Sequence, residues 1–137
     1  MEIVLTIAGS DPSGGAGIQQ DLRTIESLGC YGASVITALT TQNTLGVQSV
    51  MPVPANVVRS QLEAVLSDLD VKAIKIGQIP SAEVAHAIAE TLRKHLLQLV
   101  EPCEKFSIFN YQLSIINCPR PRDDFYKRPS PDVGGCH

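Results

Sequence analysis

At 137 residues the chain fits a single domain, and 44% hydrophobic content against 18% charge supports a packed core rather than a solvated coil. A net charge of −3 argues against a nucleic-acid or anionic-membrane partner, either of which favours basic clusters. No apolar run approaches the roughly 20 residues of a spanning helix, and Met1-Glu2-Ile3 lacks the basic start of a secretion signal, so a cytoplasmic domain is expected.

Glu2 to Ala8 (EIVLTIA) is a short β-branched apolar run stopped by Gly9 and reads as a buried strand. Residues 9–17, GSDPSGGAG, hold four glycines, a proline, two serines and an aspartate, a composition that builds a loop. From Ile18 the spacing turns helical, with Ile18, Leu22, Ile25 and Leu28 on one face and Gly29 placed to stop it. Tyr31 to Leu39 (YGASVITAL) predicts a second buried strand, with Thr40, Thr41, Gln42 and Asn43 as its polar exit. Val47 to Val53 alternates apolar and polar residues, as a short edge or hairpin strand does.

Pro52 and Pro54 end that strand and open a helix whose stripe uses Val57, Val58, Leu62, Val65, Leu66 and Leu69. Val71 to Ile76 (VKAIKI) predicts a further strand, ended by Gly77. Ser81 can cap a last helix, with Glu83 near its positive dipole end and Val84, Ile88 and Leu92 as its buried stripe. This alternation predicts an α/β fold, a doubly wound parallel-type sheet with flanking helices. Three parallel strands with an uncovered edge make an incomplete sheet, so residues 1–100 read as the first part of a larger domain.

The composition breaks near Val100. Residues 101–137 hold all three Phe, two of three Tyr, three of four Cys and five of nine Pro. Residues 1–100 carry the whole charge imbalance, six Lys and Arg against nine Asp and Glu. FSIFNYQLSII in the tail is a strand or nothing; the rest is rich in proline and charge and predicts irregular structure. Cys103, Cys118 and Cys136 match no metal or redox spacing, and Cys30 reads as a small buried thiol. His86 and His95 stand nine apart, off any metal-ligand spacing, and read with Lys72 and Lys75 as surface or strand-end groups. Arg120, Arg122, Lys127 and Arg128 are offset by Asp123 and Asp124, which disfavours a nucleic-acid patch.

The glycine-rich loop sits between a first strand and a first helix, where α/β proteins place ligands. Neither common phosphate fingerprint fits. Gly9 and Gly14 have the Walker spacing, but Gly15 and Ala16 stand where Lys and Ser or Thr belong. Gly15 and Gly17 are followed by Gln20 in place of the third dinucleotide glycine. A structural turn remains the simple alternative, although a turn needs one or two glycines and not four. Asp21, read as lying in the first helical turn, and Gln42 and Asn43 at the strand end could offer an acceptor and an amide to a small heterocycle. A solvated carboxylate and an ordinary loop amide are the competing readings. A generic nucleotide-binding α/β domain would need the loop to hold phosphate.

Residues 5–50 closely resemble the start of the bacterial-type hydroxymethylpyrimidine and hydroxymethylpyrimidine-phosphate kinase family, within the ribokinase-like superfamily. The carrying motifs are AGSDPSGGAGIQQD, YGASVITALTTQNTLGV and the KIG of residues 75–77. The resemblance runs to about Leu97, less than half of a usual family member. It implies transfer of the terminal phosphoryl group of ATP, with magnesium, to the hydroxymethyl group of the pyrimidine and then to its monophosphate. It also implies a homodimer and, in some relatives, pyridoxal-type substrates. By motif, Asp21 and Gln42 correspond to side chains that hydrogen-bond the pyrimidine, and the region of Gly9, Asp11, Ala16 and Gly17 to the pocket's wall and cover. Gln78 stands where the family usually has a methionine against the ring, a polar amide in place of an apolar platform.

In such families the nucleotide stretch and the catalytic residue lie in the C-terminal half, and nothing in 101–137 resembles them. The expectation is therefore a chain without catalytic or metal-binding residues of its own and inactive alone, its tail arising from a frameshift, a retained intron or alternative splicing. A non-catalytic pyrimidine-binding chain, a fragment without function and a pyridoxal-type kinase remain the alternatives.

Overall fold

The alternation of apolar runs and amphipathic stretches builds a sheet sandwiched by helices. The computed structural model describes residues 1–96 together with Ser114 and Ile115. In chain order the elements are β1 (Ile3–Ser10), α1 (Gly17–Ser27), β2 (Tyr31–Asn43), β3 (Gly46–Pro52), α2 (Ala55–Asp68), β4 (Val71–Ile76), α3 (Ala82–Leu96) and β5 (Ser114–Ile115). The sheet order is β3-β2-β1-β4-β5, with β1 parallel to both β2 and β4, β3 antiparallel to β2, and β5 antiparallel to β4. The tail's three cysteines and its basic residues lie outside the described residues.

β1 is the central strand, and its side chains split between two faces. Leu5 and Ile7 join Ala33, Val35, Ile74 and Ile76 in the core beneath α2 and α3, which contribute Val58, Leu62, Val84, Ile88 and Leu92. Thr6, between them, faces the side covered by α1, opposite Ser34 and Lys75 in the register. The loop leaving β1 feeds α1 on one face, while the segment leaving β4 feeds α3 on the other. Between β1 and β4 the connections therefore diverge, which opens a crevice at the strands' C-terminal ends.

Several sequence expectations shift. Thr40 to Asn43 is not an exit but the last part of β2, because β3 folds back and pairs with it from Ala38 to Asn43. Asn43 Oδ1 accepts the Leu45 N–H at 2.9 Å, which serves the tight connection between the two strands. Leu28 is exposed, because it occupies the C-cap position of α1, where the stripe has already rotated away. The stop itself forms as expected: Gly29 N–H donates to Glu26 O and Cys30 N–H to Ile25 O, with Gly29 at φ 75°. Cys30 is half-buried just beyond it. Ser81 Oγ accepts the Val84 N–H at 3.2 Å and caps α3. His86 on α3 is exposed and His95 half-buried.

One contact had no readable signal. β3 pairs with β2 only from Ala38 onward, so the Ile36 peptide groups at that edge need partners from elsewhere. Gln61 of α2 supplies both, accepting from Ile36 N–H at 3.0 Å and donating to Ile36 O at 3.1 Å.

The α2 stripe also proves narrower than its spacing suggests, since Leu62 is fully buried while Val57 is 42% exposed. Leu62→Ala should cost about 2–5 kcal/mol and Val57→Ala no more than about 0.5 kcal/mol in chemical denaturation; equal costs would contradict this packing.

Candidate functional site

The loop between β1 and α1 is organised by a single carboxylate. Asp11 is almost fully buried. Its Oδ1 accepts the Ser13 N–H at 2.8 Å and the Ser13 hydroxyl at 2.7 Å. Its Oδ2 accepts the Gly15 N–H at 3.1 Å and the Ala16 N–H at 2.9 Å. Gly14 N–H closes the turn onto Asp11 O at 3.0 Å, with Gly14 at φ 77° where an L side chain is rarely found. Three backbone N–H groups of the loop before α1, those of Ser13, Gly15 and Ala16, therefore already hold an anion, the protein's own. Hydrogen bonding from the Ser13 hydroxyl, opposed by burial and joined by the backbone N–H groups, holds the Asp11 carboxyl below the ordinary value of 3.8.

Gln19 and Arg23 lock the loop to α1. Gln19 accepts from Asp11 N–H at 2.8 Å and donates to Ser10 Oγ at 2.8 Å. Arg23 donates to Gly14 O at 2.8 Å. Gly17 starts α1 at φ 59°, and a Cβ there would stand 2.3 Å from Gly9 O, so the helix start and the end of β1 touch through bare backbone. That close approach explains why glycines bracket the loop.

The crevice holds a cavity of about 170 Å³, lined by Ala8, Gly9, Ser10, Asp11, Ala16, Gly17, Thr40, Gln42, Lys75 and Gln78. Six of the seven residues singled out as binding candidates thus border one space: Gly9, Asp11, Ala16, Gly17, Gln42 and Gln78. Asp11 borders it as scaffold, since its carboxylate is committed to the loop. Thr40 ties the far wall to the loop, its hydroxyl donating to Ser10 O at 2.8 Å and lying 3.2 Å from Gln42 Oε1. A register shift between Thr41 and Gln42 re-aims this stretch of β2. Gln78 is anchored through its backbone, where the buried Thr37 hydroxyl donates to Gln78 O at 2.7 Å.

Asp21 is placed differently from its expected position. α1 begins at Gly17, so Asp21 opens the second turn rather than sitting in the first. It is not among the cavity's lining residues; its Oδ2 accepts from the Thr6 hydroxyl at 2.6 Å and from the Lys75 ammonium at 2.7 Å. Lys75 lines the cavity instead, which corrects its reading as a plain strand-end charge. Lys72 does fit that reading, pairing at the surface with Asp70, whose hydrogen bond raises the Lys72 pKa. Among the described residues no group of three or more His, Cys, Asp or Glu could hold a metal ion, and no helix is long and apolar enough to cross a membrane.

Residues 11–102 match the family described as phosphomethylpyrimidine kinase. The chain is 60% identical over 92 residues to a hydroxymethylpyrimidine/phosphomethylpyrimidine kinase of Rhizobium meliloti, covering 67% of this chain and 35% of that protein. It superposes on a crystal structure of phosphomethylpyrimidine kinase from Clostridium difficile 630 with a TM-score of 0.68 and 49% identity, over 70% of this chain and 42% of that one. A pyridoxal kinase of Staphylococcus aureus in complex with AMP-PCP and pyridoxal is more distant, with a TM-score of 0.61 and 40% identity over 69% of this chain and 35% of that one. The chain spans about a third of the length of the hydroxymethylpyrimidine/phosphomethylpyrimidine kinases it matches. This chain belongs to the phosphomethylpyrimidine kinase family, and its α/β fold is the ribokinase-like one expected from the resemblance.

The Asp11 carboxylate sets a pH signature. Because its folded pKa lies below 3.8, its stabilisation is complete above that value and is lost as pH falls through the lowered one. Asp11→Asn should lower the melting temperature at neutral pH and flatten the acid limb of the stability curve. A wild-type limb that Asp11→Asn leaves unchanged would contradict this role.

Proposed function

We propose that residues 1–100 form the acceptor side of a hydroxymethylpyrimidine and hydroxymethylpyrimidine-phosphate kinase site, within the cytoplasmic thiamine pathway. The reading rests on one observation above all. Asp11 takes the Ser13, Gly15 and Ala16 N–H donors of the loop, and beside it lies a small cavity edged by the amides of Gln42 and Gln78 and the ammonium of Lys75, a lining suited to a small polar heterocycle. Gly9, Ala16 and Gly17 give its wall, Gln42 and Gln78 offer amides that both donate and accept, and Asp21 contributes from α1.

In this reading the acceptor is 4-amino-5-hydroxymethyl-2-methylpyrimidine or its monophosphate, and the donor is ATP with magnesium. The described residues do not fit the donor: the loop that could cradle phosphates holds Asp11, and they offer no metal-ligand cluster. Their work is to bind and orient the acceptor, and phosphoryl transfer depends on groups beyond them. Titration of the 137-residue chain with the pyrimidine should raise its melting temperature, since a ligand held only by the folded state at 100 times its Kd adds about 2.7 kcal/mol. The same chain with Mg-ATP should give no turnover. Absence of a thermal shift would remove the reading, and turnover would overturn the assignment of transfer to other groups. A pyridoxal-type acceptor is the second reading, favoured by the likeness to the pyridoxal kinase fold; a larger shift with pyridoxal than with the pyrimidine would select it.

A homodimer is part of the same proposal. Every residue of β3 is exposed, with Val47, Val50 and Met51 among them, and no charged residue occurs from Tyr31 to Val58. Lone edge strands are usually guarded by charge, and this one is not. Val47→Lys combined with Met51→Lys should shift the chain from dimer to monomer in sedimentation. A monomeric wild type would overturn the dimer.

A further inference from the structure

We propose that Lys75 is a specificity-determining residue of the acceptor cavity, its ammonium donating to a ring nitrogen of the bound heterocycle. Asp21 then acts through it as a positioning residue. The assignment rests on the acceptor-site reading and changes which side chain makes the contact.

Three features converge on the Lys75 ammonium. Asp21 Oδ2 lies 2.7 Å from it, and that carboxylate is itself fixed by the buried Thr6 hydroxyl at 2.6 Å. Thr6 and Lys75 are register partners on adjacent strands, so the hydroxyl, the carboxylate and the ammonium meet on the α1 face of the sheet. Gly77 leaves the space: a Cβ there would come within 3.0 Å of Lys75 Nζ and 2.9 Å of Ala8 Cβ. A long side chain with several free rotamers is thereby held at one point beside the cavity.

Exposure gives the direction of the contact. The Lys75 side chain is 48% exposed and borders the cavity, whereas Asp21 is 17% exposed and stands behind it. Among the described residues the ammonium makes one hydrogen bond, to Asp21. An ammonium has three donors, so two remain for a ligand. Such a cation suits a ring nitrogen, which accepts, and it disfavours a donor at the same place. Gln42 and Gln78 are left for the exocyclic amino and hydroxymethyl groups.

Two ligands and three variants of the 137-residue chain separate the possibilities by calorimetric titration. The pyrimidine carries ring nitrogens; 2-aminobenzyl alcohol keeps the amino and hydroxymethyl groups and has C–H in their place. Lys75→Met and Lys75→Gln should weaken pyrimidine binding about ten- to a hundredfold and leave 2-aminobenzyl alcohol within about twofold. Asp21→Asn should lose part of the same discrimination, and Asp21→Asn with Lys75→Met should bind no worse than Lys75→Met alone. Thermal melts check that each variant is folded. Unchanged pyrimidine affinity in both Lys75 variants would overturn this assignment alone, as would an Asp21→Asn variant that weakens both ligands equally. A wild type that binds neither ligand overturns the acceptor-site reading and this assignment with it.

Discussion

The site depends on an anion the protein supplies to itself. A helix start following a glycine-rich turn presents unpaired N–H groups and the positive end of a dipole, and left open it attracts phosphate. Here Asp11 occupies the turn that leads into that helix, with four hydrogen bonds from Ser13, Gly15 and Ala16. The consequence is structural as well as chemical. A loop with four glycines has many conformations to lose on folding, and the carboxylate selects one of them by satisfying three backbone groups at once. Gln19 and Arg23 then pin that conformation to α1.

From that fixed loop the rest of the cavity follows by topology. β1 lies between β2 and β4, so the walls of the crevice come from the ends of all three strands. Parallel pairing sets Thr6 beside Lys75, and the helical period of α1 sets Asp21 above them, one turn after Gly17. Gly17 and Gly9 touch through backbone alone, so α1 can sit low enough for Asp21 to reach the sheet. Polar groups that would be costly to bury singly thus satisfy one another, and the arrangement ends on a cation at the cavity wall.

Element order and most boundaries were legible in the sequence because hydrophobic period is a local property. VKAIKI is a short, mostly apolar run stopped by Gly77, and β4 matches it residue for residue, while Ser81 caps α3 as its position implies. What was not legible depends on partners distant along the chain. Thr40 to Asn43 reads as a polar exit until β3 returns to pair with it. Gln61 looks like any exposed helix amide until the unpaired Ile36 peptide groups are placed beside it. Lys75 alternates with apolar neighbours and looks solvated; only the approach of α1 gives it Asp21. The candidate residues could be gathered from motifs, but their division of labour, with Asp11 as scaffold and Asp21 behind Lys75, required the register and the helix placement.

The size of the cavity bears on how the work of such a site is divided. At about 170 Å³ it is smaller than the roughly 300 Å³ at which small-molecule sites usually begin, and its lining comes from the C-terminal ends of three strands and the segments that leave β1 and β4. In the proposed reading a flat ring seated there would meet its polar edge groups on this wall. Recognition of the ring and delivery of phosphate therefore make opposite demands on one place. The first wants uncharged amides and a single oriented cation close to backbone; the second wants concentrated positive potential around the donor. Asp11 bears on this side of the crevice, since an anion fixed in the loop disfavours phosphate beside it, while Lys75, held by Asp21, is the cation left at the cavity wall.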